Sequence, residues 1–208
     1  MIEFFFDCGS PWTWLAFRNI QPLARELGVE IDWKPVLLGA IFNAANPGVY
    51  EFRERGAPAK KRYIEKDIQD WACRDGLTIR FPNAVFPLQS AKVMRGCLLL
   101  EPRGKLVAFA SLAFEAYWSR EQDLADDAVL TALCQRLDVD PAWFLDGIAS
   151  PAIKSQLRAN TDEVIRRGGF GSPTMFVGGE DMYFGNDRLE LVRSAIVSRL
   201  GASLPGRA

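Results

Sequence analysis

The 208-residue sequence contains no histidine. This absence excludes imidazole general bases and every catalytic triad that depends on histidine. Cysteine is scarce, and the four cysteines form neither a C-x-x-C pair nor a pattern with zinc-site spacing. They are Cys8, Cys73, Cys97 and Cys134. Structural zinc sites use cysteine and histidine at short spacings. We therefore expect no metal site.

An excess of charge of one sign is absent, as are long apolar runs. The 25 basic and 26 acidic residues nearly cancel, whereas nucleic-acid binding requires a basic face. No segment reaches the roughly 18 apolar residues of a membrane span, and the N-terminus does not resemble a signal peptide. We expect a cytoplasmic protein that binds neither nucleic acid nor membranes.

The cysteines divide into two groups by their surroundings. Cys73, Cys97 and Cys134 lie in helical patterns, which predicts small buried hydrophobic residues. Cys8 stands in a turn, where two interpretations stay open. It is either a reactive thiol or a packing residue at the end of a strand.

The rest of the chain is organised around the turn that contains Cys8. The apolar run Phe4–Phe6 predicts a buried strand, and Pro11 is favoured in the first helical turn, where its missing N–H costs nothing. Ser10 then falls at the N-cap, beside free backbone N–H groups and the positive end of the helix dipole. Such a position stabilises a thiolate or a carboxylate. The alternative is a plain helix cap.

Both ends of the chain carry strand patterns. A strand at Ile2–Phe6, a helix at Pro11–Leu27 that ends at Gly28, and a strand at Val29–Trp33 predict a right-handed parallel βαβ unit. Two short strands near the C-terminus, 175–177 and 182–184, predict a hairpin. The last helix is predicted from about Arg188 to Leu200, with Asp187 and Glu190 as an acidic capping box.

Helical patterns fill the middle of the chain. A loop is predicted at Asn43–Gly48, helix throughout Pro58–Cys134, and further helices from Pro141 and Pro151. The two ends together predict one sheet, so the helical block is an insertion in a single α/β core. We predict a discontinuous core of residues 1–36 and 151–201, a helical insertion of residues 37–150 and a frayed tail of residues 202–208.

Five ordered motifs between residue 4 and about residue 192 resemble one family. They are F-F-D-C-G-S-P-W-T-W-L-A from Phe5, P-V-L-L-G-A-I-F from Pro35, F-P-L-Q-S-A-K-V-M-R from Phe86, G-F-G-S-P-T from Gly169 and F-G-N-D-R-L-E-L from Phe184. They resemble the kappa-class glutathione transferases and 2-hydroxychromene-2-carboxylate isomerases, a branch of the DsbA-like proteins. The resemblance implies an α/β fold with a thioredoxin-like core (βαβ…αββα) and a large all-helical insertion.

The sequence departs from the DsbA pattern at the turn itself. Where a dithiol oxidoreductase needs C-x-x-C, this chain has Ser10-Pro11-Trp12-Thr13, so dithiol exchange by that motif is excluded. The resemblance implies glutathione as the cofactor and Ser10 as the catalytic residue. A hydroxyl that donates a hydrogen bond to the sulfur at a helix N-terminus favours the thiolate.

The resemblance also implies which residues hold glutathione: Ser10, Pro11, Trp12, Asn46, Ser172, Pro173, Asn186, Asp187 and Arg188. A cis Ser172-Pro173 bond would present the main chain of residue 172 to the cysteinyl unit. The helix start at Asn186 suits the γ-glutamyl carboxylate, and Asp187 would take its ammonium. The alternatives are Asp187 as a cap and Asn46 as a turn residue.

The implied activity is a glutathione-dependent cis–trans isomerisation of 2-hydroxychromene-2-carboxylate-type intermediates of aromatic hydrocarbon degradation, by a homodimer. Trp12, Trp14 and Phe42 would line the site of the aromatic substrate. Asn43 stands where isomerases often carry lysine, and Gln89 where asparagine is usual, so the group that binds the substrate carboxylate is left open. A kappa-like transferase that conjugates electrophiles and a non-catalytic thiol-peptide-binding protein are the alternatives.

Overall fold

The computed structural model describes residues 1–202. Its strands and helices, in chain order, are β1 (Ile2–Phe6), α1 (Pro11–Leu27), β2 (Ile31–Pro35), α2 (Leu38–Ala45), α3 (Gly48–Arg55), α4 (Pro58–Arg74), α5 (Ala91–Leu100), α6 (Leu106–Trp118), α7 (Asp127–Gln135), α8 (Pro141–Ala149), α9 (Pro151–Arg166), β3 (Thr174–Val177), β4 (Asp181–Phe184) and α10 (Leu189–Ala202). The predicted α/β class with a thioredoxin-like core and helical insertion is confirmed.

The sheet has the order β2-β1-β3-β4. Strands β1 and β2 are parallel, with Ile2 opposite Ile31, so the predicted βαβ unit is confirmed, although β2 begins two residues later than expected. Strand β3 is antiparallel to both β1 and β4. Strands β3 and β4 form the predicted hairpin. The two ends of the chain therefore share one sheet.

Alternation along β1 sends side chains to opposite faces of the sheet. Phe4 and Phe6 contact the ring of Phe17 on α1, with ring centroids 6.3 and 5.4 Å away. Phe5 packs on the other face with Phe176 and with Val164 of α9. Because both faces of β1 are buried, packing fixes the position of its C-terminal end. The turn that follows β1 is therefore also fixed in position at its start.

The helical block differs from the prediction in two places. The expected loop at Asn43–Gly48 is wrong, because α2 continues through Ala45 and α3 begins at Gly48. Helix throughout Pro58–Cys134 is also wrong, since residues 75–90 are irregular and contain cis bonds before Pro82 and Pro87. Proline lacks the N–H that a helix interior needs.

Two smaller predictions near helix ends are also wrong. Cys73 is exposed, because it lies about 100° around α4 from the buried Ala72, whereas Cys97 and Cys134 are buried as expected. Asp187 does not cap the last helix, because α10 begins at Leu189 and Asp187 lies in the preceding 3-10 turn.

The buried cluster continues from the sheet through α1 into α5 and α6. The division into a core and an insertion domain stays a prediction. Of the predicted tail, Ala202 is the last residue of α10, and residues 203–208 lie outside the described residues. Among residues 1–202, no helix is both long enough and apolar enough to cross a membrane.

Candidate active site at the β1–α1 turn

The turn after β1 ends in a capped helix. Ser10 has extended backbone angles (φ −120°, ψ 124°), and its Oγ accepts a hydrogen bond from Thr13 N at 3.2 Å. Pro11 occupies the first turn of α1. These observations fit an N-cap, whose side-chain oxygen satisfies one of the free N–H groups at a helix start. The predicted cap is confirmed.

The hydroxyl of Ser10 has a second partner far along the chain. It donates to the carbonyl oxygen of Ser172 at 3.1 Å, and the Ser172–Pro173 bond is cis. Ser172 Oγ accepts from Asp7 N at 3.1 Å and shares a 2.8 Å hydrogen bond with Thr13 Oγ1. Three hydroxyls therefore join the β1–α1 turn to the segment before β3. We call Ser10, Thr13 and Ser172 the hydroxyl cluster.

The hydroxyl cluster fills the place of a redox pair. Ser10 and Thr13 stand at the spacing of the two cysteines in C-x-x-C, and both are buried. Hydroxyls at these positions bind charge or donate protons but do not form a disulfide. The arrangement can stabilise a thiolate that another molecule brings.

Cys8 lies outside the hydroxyl cluster. Its side chain is fully buried, its N–H lies 3.4 Å from Met94 Sδ, and its carbonyl accepts from Trp118 Nε1 at 2.9 Å. Burial raises the pKa of the Cys8 thiol, and the neighbouring Cys97 raises it further. A buried neutral thiol is inert, so the packing interpretation is the one that the geometry supports.

The buried carboxylate of Asp7 holds the turn in place through three hydrogen bonds. Its Oδ1 accepts from Gly9 N at 2.8 Å, and its Oδ2 accepts from Leu38 N at 2.8 Å and from Ser90 Oγ at 2.7 Å. Burial raises the pKa of this carboxyl, while the three donors lower it. Asp7 therefore ties together the turn, the start of α2 and the start of α5.

A groove of about 350 Å³ lies beside the hydroxyl cluster. We call it the cofactor groove, and its lining is Trp12, Asp67, Trp71, Ser172, Pro173, Phe184, Gly185, Asn186, Asp187 and Arg188. Asn186 is 7% exposed, and its Nδ2 has no hydrogen-bond partner among the described residues. A buried donor without an acceptor costs roughly 1–3 kcal/mol, which a ligand oxygen in the groove would remove.

Most of the predicted cofactor residues meet here. Seven of the nine either line the cofactor groove or bond directly to its wall: Ser10, Trp12, Ser172, Pro173, Asn186, Asp187 and Arg188. Pro11 is buried within the turn. Asn46 does not line the groove; it caps the end of α2, and its Nδ2 lies 3.4 Å from the carbonyl of Phe170. The binding roles of all nine stay predictions.

Two groove residues on α4 are not among the residues predicted from the sequence. Trp71 belongs to a helical stripe that predicts core packing, and Asp67 lies one turn before it. Both are half-buried, at the margin of the apolar face. A tryptophan beside an acidic residue at such a margin is a weak signal of a binding wall. Trp14, expected at the aromatic substrate, is buried instead against Phe114.

The chain was compared with known proteins. Residues 1–197 match the model of the DSBA-like thioredoxin domain. The chain is 29% identical over 198 residues to 2-hydroxychromene-2-carboxylate isomerase of Sphingobium xenophagum, covering 94% of this chain and 97% of that protein. It is 24% identical over 219 residues to glutathione S-transferase kappa 1 of Homo sapiens, covering 98% and 94%. A solved structure of 2-hydroxychromene-2-carboxylate isomerase superposes with a TM-score of 0.80 at 25% identity, covering 99% of each chain.

Proposed function

The chain belongs to the DSBA-like thioredoxin domain family, and we propose that it is a glutathione-dependent cis–trans isomerase of 2-hydroxychromene-2-carboxylate-type compounds. The observation that carries the proposal is the hydroxyl cluster. It puts Ser10 Oγ at a helix N-terminus, 3.1 Å from the carbonyl before a cis proline and beside a groove with an unpaired amide. The names of the relatives favour the same cofactor and substrate.

Glutathione binding exchanges hydrogen bonds at Ser10. A hydroxyl has one proton, and here it goes to the Ser172 carbonyl. With the tripeptide bound, Ser10 Oγ would donate to the sulfur, and the freed carbonyl of Ser172 would accept the cysteinyl N–H in strand-like pairing. The thiol, whose ordinary pKa is about 8.5, would become more acidic by about one to two units.

The γ-glutamyl end of glutathione matches the far end of the cofactor groove. Asp187 and Arg188 form an exposed ion pair, with Arg188 Nη1 2.7 Å from Asp187 Oδ2. An α-amino-acid group carries both charges, so Asp187 would hold its ammonium and Arg188 its carboxylate. Asn186 Nδ2 would donate to an oxygen of the same group. Exposed ion pairs are worth little, so opening this one costs little.

Bound beside Ser10, glutathione would supply a nucleophilic thiolate for reversible addition to a conjugated double bond of the substrate. Addition would convert that double bond into a single bond that can rotate, and elimination would return the thiolate. Glutathione would not be consumed, so the reaction would be a net isomerisation.

A transferase would use the same site. It would stop after C–S bond formation and consume glutathione, and the kappa-class relatives make it the second candidate. A non-catalytic binding protein with Cys8 as a redox sensor is disfavoured by the burial of that thiol. The cytoplasmic location, expected from the composition, and the homodimer, implied by the resemblance, remain predictions.

One assay separates these functions. The protein is mixed with 2-hydroxychromene-2-carboxylate, with and without glutathione, while the absorption spectrum and the free thiol are followed. The isomerase proposal predicts a glutathione-dependent spectral change at constant thiol. Stoichiometric thiol loss would favour the transferase, and no glutathione-dependent change would refute the proposal.

The unpaired amide predicts the effect of Asn186→Ala. Glutathione affinity should fall about 10-fold, because a hydrogen bond to a charged ligand group is lost. Asn160→Ala is the matched control, since Asn160 is 8% exposed and its Nδ2 already donates to Pro35 O at 3.1 Å. The control should lose stability and keep its affinity. Calorimetric titration decides, and equal affinities for Asn186→Ala and wild type would contradict the prediction.

A further inference from the structure

A second cavity, of about 180 Å³, also borders the β1–α1 turn. We call it the acceptor cavity, and its lining is Asp7, Gly9, Leu38, Gly39, Phe42, Tyr50, Arg53, Phe86, Pro87, Leu88 and Ser90. Gly9 precedes Ser10, and Trp12, two residues after Ser10, lines the cofactor groove. The two spaces therefore border the same turn, and their linings include residues on either side of Ser10 in the sequence.

The size of the acceptor cavity restricts its occupant. An engineered protein cavity of about 150 Å³ holds one benzene molecule. A cavity of about 180 Å³ that opens to solvent accordingly takes one or two fused rings. Phe42, Tyr50 and Phe86 provide aromatic walls, and Tyr50 and Phe86 are 38% and 40% exposed. Exposed aromatic residues grouped around an opening are typical of a binding site.

Arg53 gives the opening a positive charge. Its Cζ lies 4.9 Å from the ring centroid of Phe86, 5.4 Å from that of Phe42 and 5.9 Å from that of Tyr50. Within residues 1–202, no carboxylate lies in salt-bridge distance of its guanidinium. Desolvation by the surrounding side chains lowers the pKa of Arg53 from its ordinary value, yet an arginine stays charged at neutral pH. An uncompensated cation among aromatic rings recognises an aromatic anion.

We propose that the acceptor cavity binds the carboxylated aromatic substrate, with Arg53 holding the carboxylate and Phe42 and Phe86 flanking the rings. The proposal rests on the proposed function, because it takes the occupant of the cavity to be the isomerase substrate. Asn43, at the position where the resemblance leads us to expect lysine, is exposed on α2 and is not part of the lining. Arg53, on α3, supplies the missing cation.

The carboxylate of Asp7 also lines the cavity and fixes the direction of binding. Asp7 is 1% exposed, whereas Arg53 is exposed, so Asp7 forms the floor and Arg53 stands at the mouth. The negative charge on the floor is met by three donors. The ligand carboxylate therefore points outward to Arg53, and the uncharged ring lies inward, toward Gly9.

Binding of a substrate-like acid, measured without glutathione, tests this site alone. The probes are chromone-2-carboxylate and its methyl ester, titrated into wild type, Arg53→Gln and Arg55→Gln. Arg55 is the matched control, because it is exposed in the same last turn of α3 and does not line the cavity. Arg53→Gln should weaken binding of the acid about 10- to 100-fold. It should leave binding of the ester unchanged, and Arg55→Gln should match wild type.

Three results would overturn the proposal: no binding of the acid by wild type, equal loss in both variants, or equal affinity for acid and ester. Arg53→Lys, which keeps the charge but loses the planar fork, should recover part of the affinity. In the isomerase assay, Arg53→Gln should raise KM for 2-hydroxychromene-2-carboxylate and leave both kcat and glutathione affinity close to wild type. If wild type binds chromone-2-carboxylate but never isomerises 2-hydroxychromene-2-carboxylate, the proposed function fails while the acceptor cavity stands.

Discussion

Ser10→Ala should lower the glutathione-dependent isomerisation rate about 8- to 25-fold at pH 7, the loss of thiolate that a one- to two-unit rise in the thiol pKa produces. Without the hydroxyl, the pKa of the bound thiol returns toward its ordinary value of about 8.5, and each unit reduces the thiolate fraction by up to about tenfold. The defect should therefore shrink as the pH rises through that value, because both proteins then hold thiolate. The rate and the ultraviolet absorbance of the bound thiolate, both measured against pH, test the prediction.

The same substitution also removes a helix cap, so its control must remove one as well. Ser150 is the N-cap of α9, its Oγ lies 3.4 Å from Ile153 N, and Pro151 follows it as Pro11 follows Ser10. Ser10→Ala and Ser150→Ala should each cost about 1 kcal/mol of stability. Only the first should change the rate or the thiol pKa. A wild-type thiol pKa in Ser10→Ala would refute the role of the hydroxyl.

Cys8→Ala provides a second contrast. The thiol is buried in the core beside Cys97, so its loss should reduce stability and leave the rate per folded molecule unchanged. A rate loss as large as that of Ser10→Ala would mean that the turn acts through its cysteine.

The parts of the fold that were predictable depend on local physics. The strand at Ile2–Phe6, the cap at Ser10 and the left-handed Gly28 (φ 64°) follow from residue types whose preferences act over a few positions. The parts that were missed depend on contacts across the chain. Strand β2 runs to Pro35 because its partner residues on β1 extend to Phe6, a register that the alternation in Val29–Trp33 does not encode.

The candidate site divides in the same way. The groove residues Ser172 and Asp187 were found through short motifs that stay intact in sequence. Arg53 was missed because no motif contains it: α3 carries no buried side chain, and its place becomes visible once Phe42 and Phe86 are brought around it. Charge recognition by a side chain on a surface helix depends on tertiary packing, and a single sequence does not report that packing.

Asp7→Ala should be the most destabilising single change at the site. It leaves the N–H groups of Gly9 and Leu38 and the hydroxyl of Ser90 without their acceptor. An unsatisfied buried donor costs about 1–3 kcal/mol. The Leu38 hydrogen bond is buried and those of Gly9 and Ser90 are partly buried, so a total of about 3 kcal/mol is expected. For a chain of this length that corresponds to a fall in Tm of about 6–12 °C. Asp140→Ala is the control, since its carboxylate accepts one N–H at an exposed cap and should cost about 1 kcal/mol.

The pH dependence of stability separates the charge of Asp7 from its hydrogen bonds. Burial raises the pKa of this carboxyl above its ordinary value of 3.8, so the folded state holds the proton more tightly than the unfolded state. The resulting stabilisation is complete below 3.8 and is lost as the pH rises through the raised pKa. Asp7→Asn should be less stable than wild type, because the amide N–H₂ of the new asparagine faces a hydrogen-bond donor. The variant should also lack the part of the pH dependence of stability that comes from titration of Asp7. Urea unfolding from acid to neutral pH measures both. If stability depends on pH in the same way in Asp7→Asn and in wild type, the carboxyl of Asp7 keeps an ordinary pKa. Its three hydrogen-bond donors would then fully offset the effect of burial on that pKa.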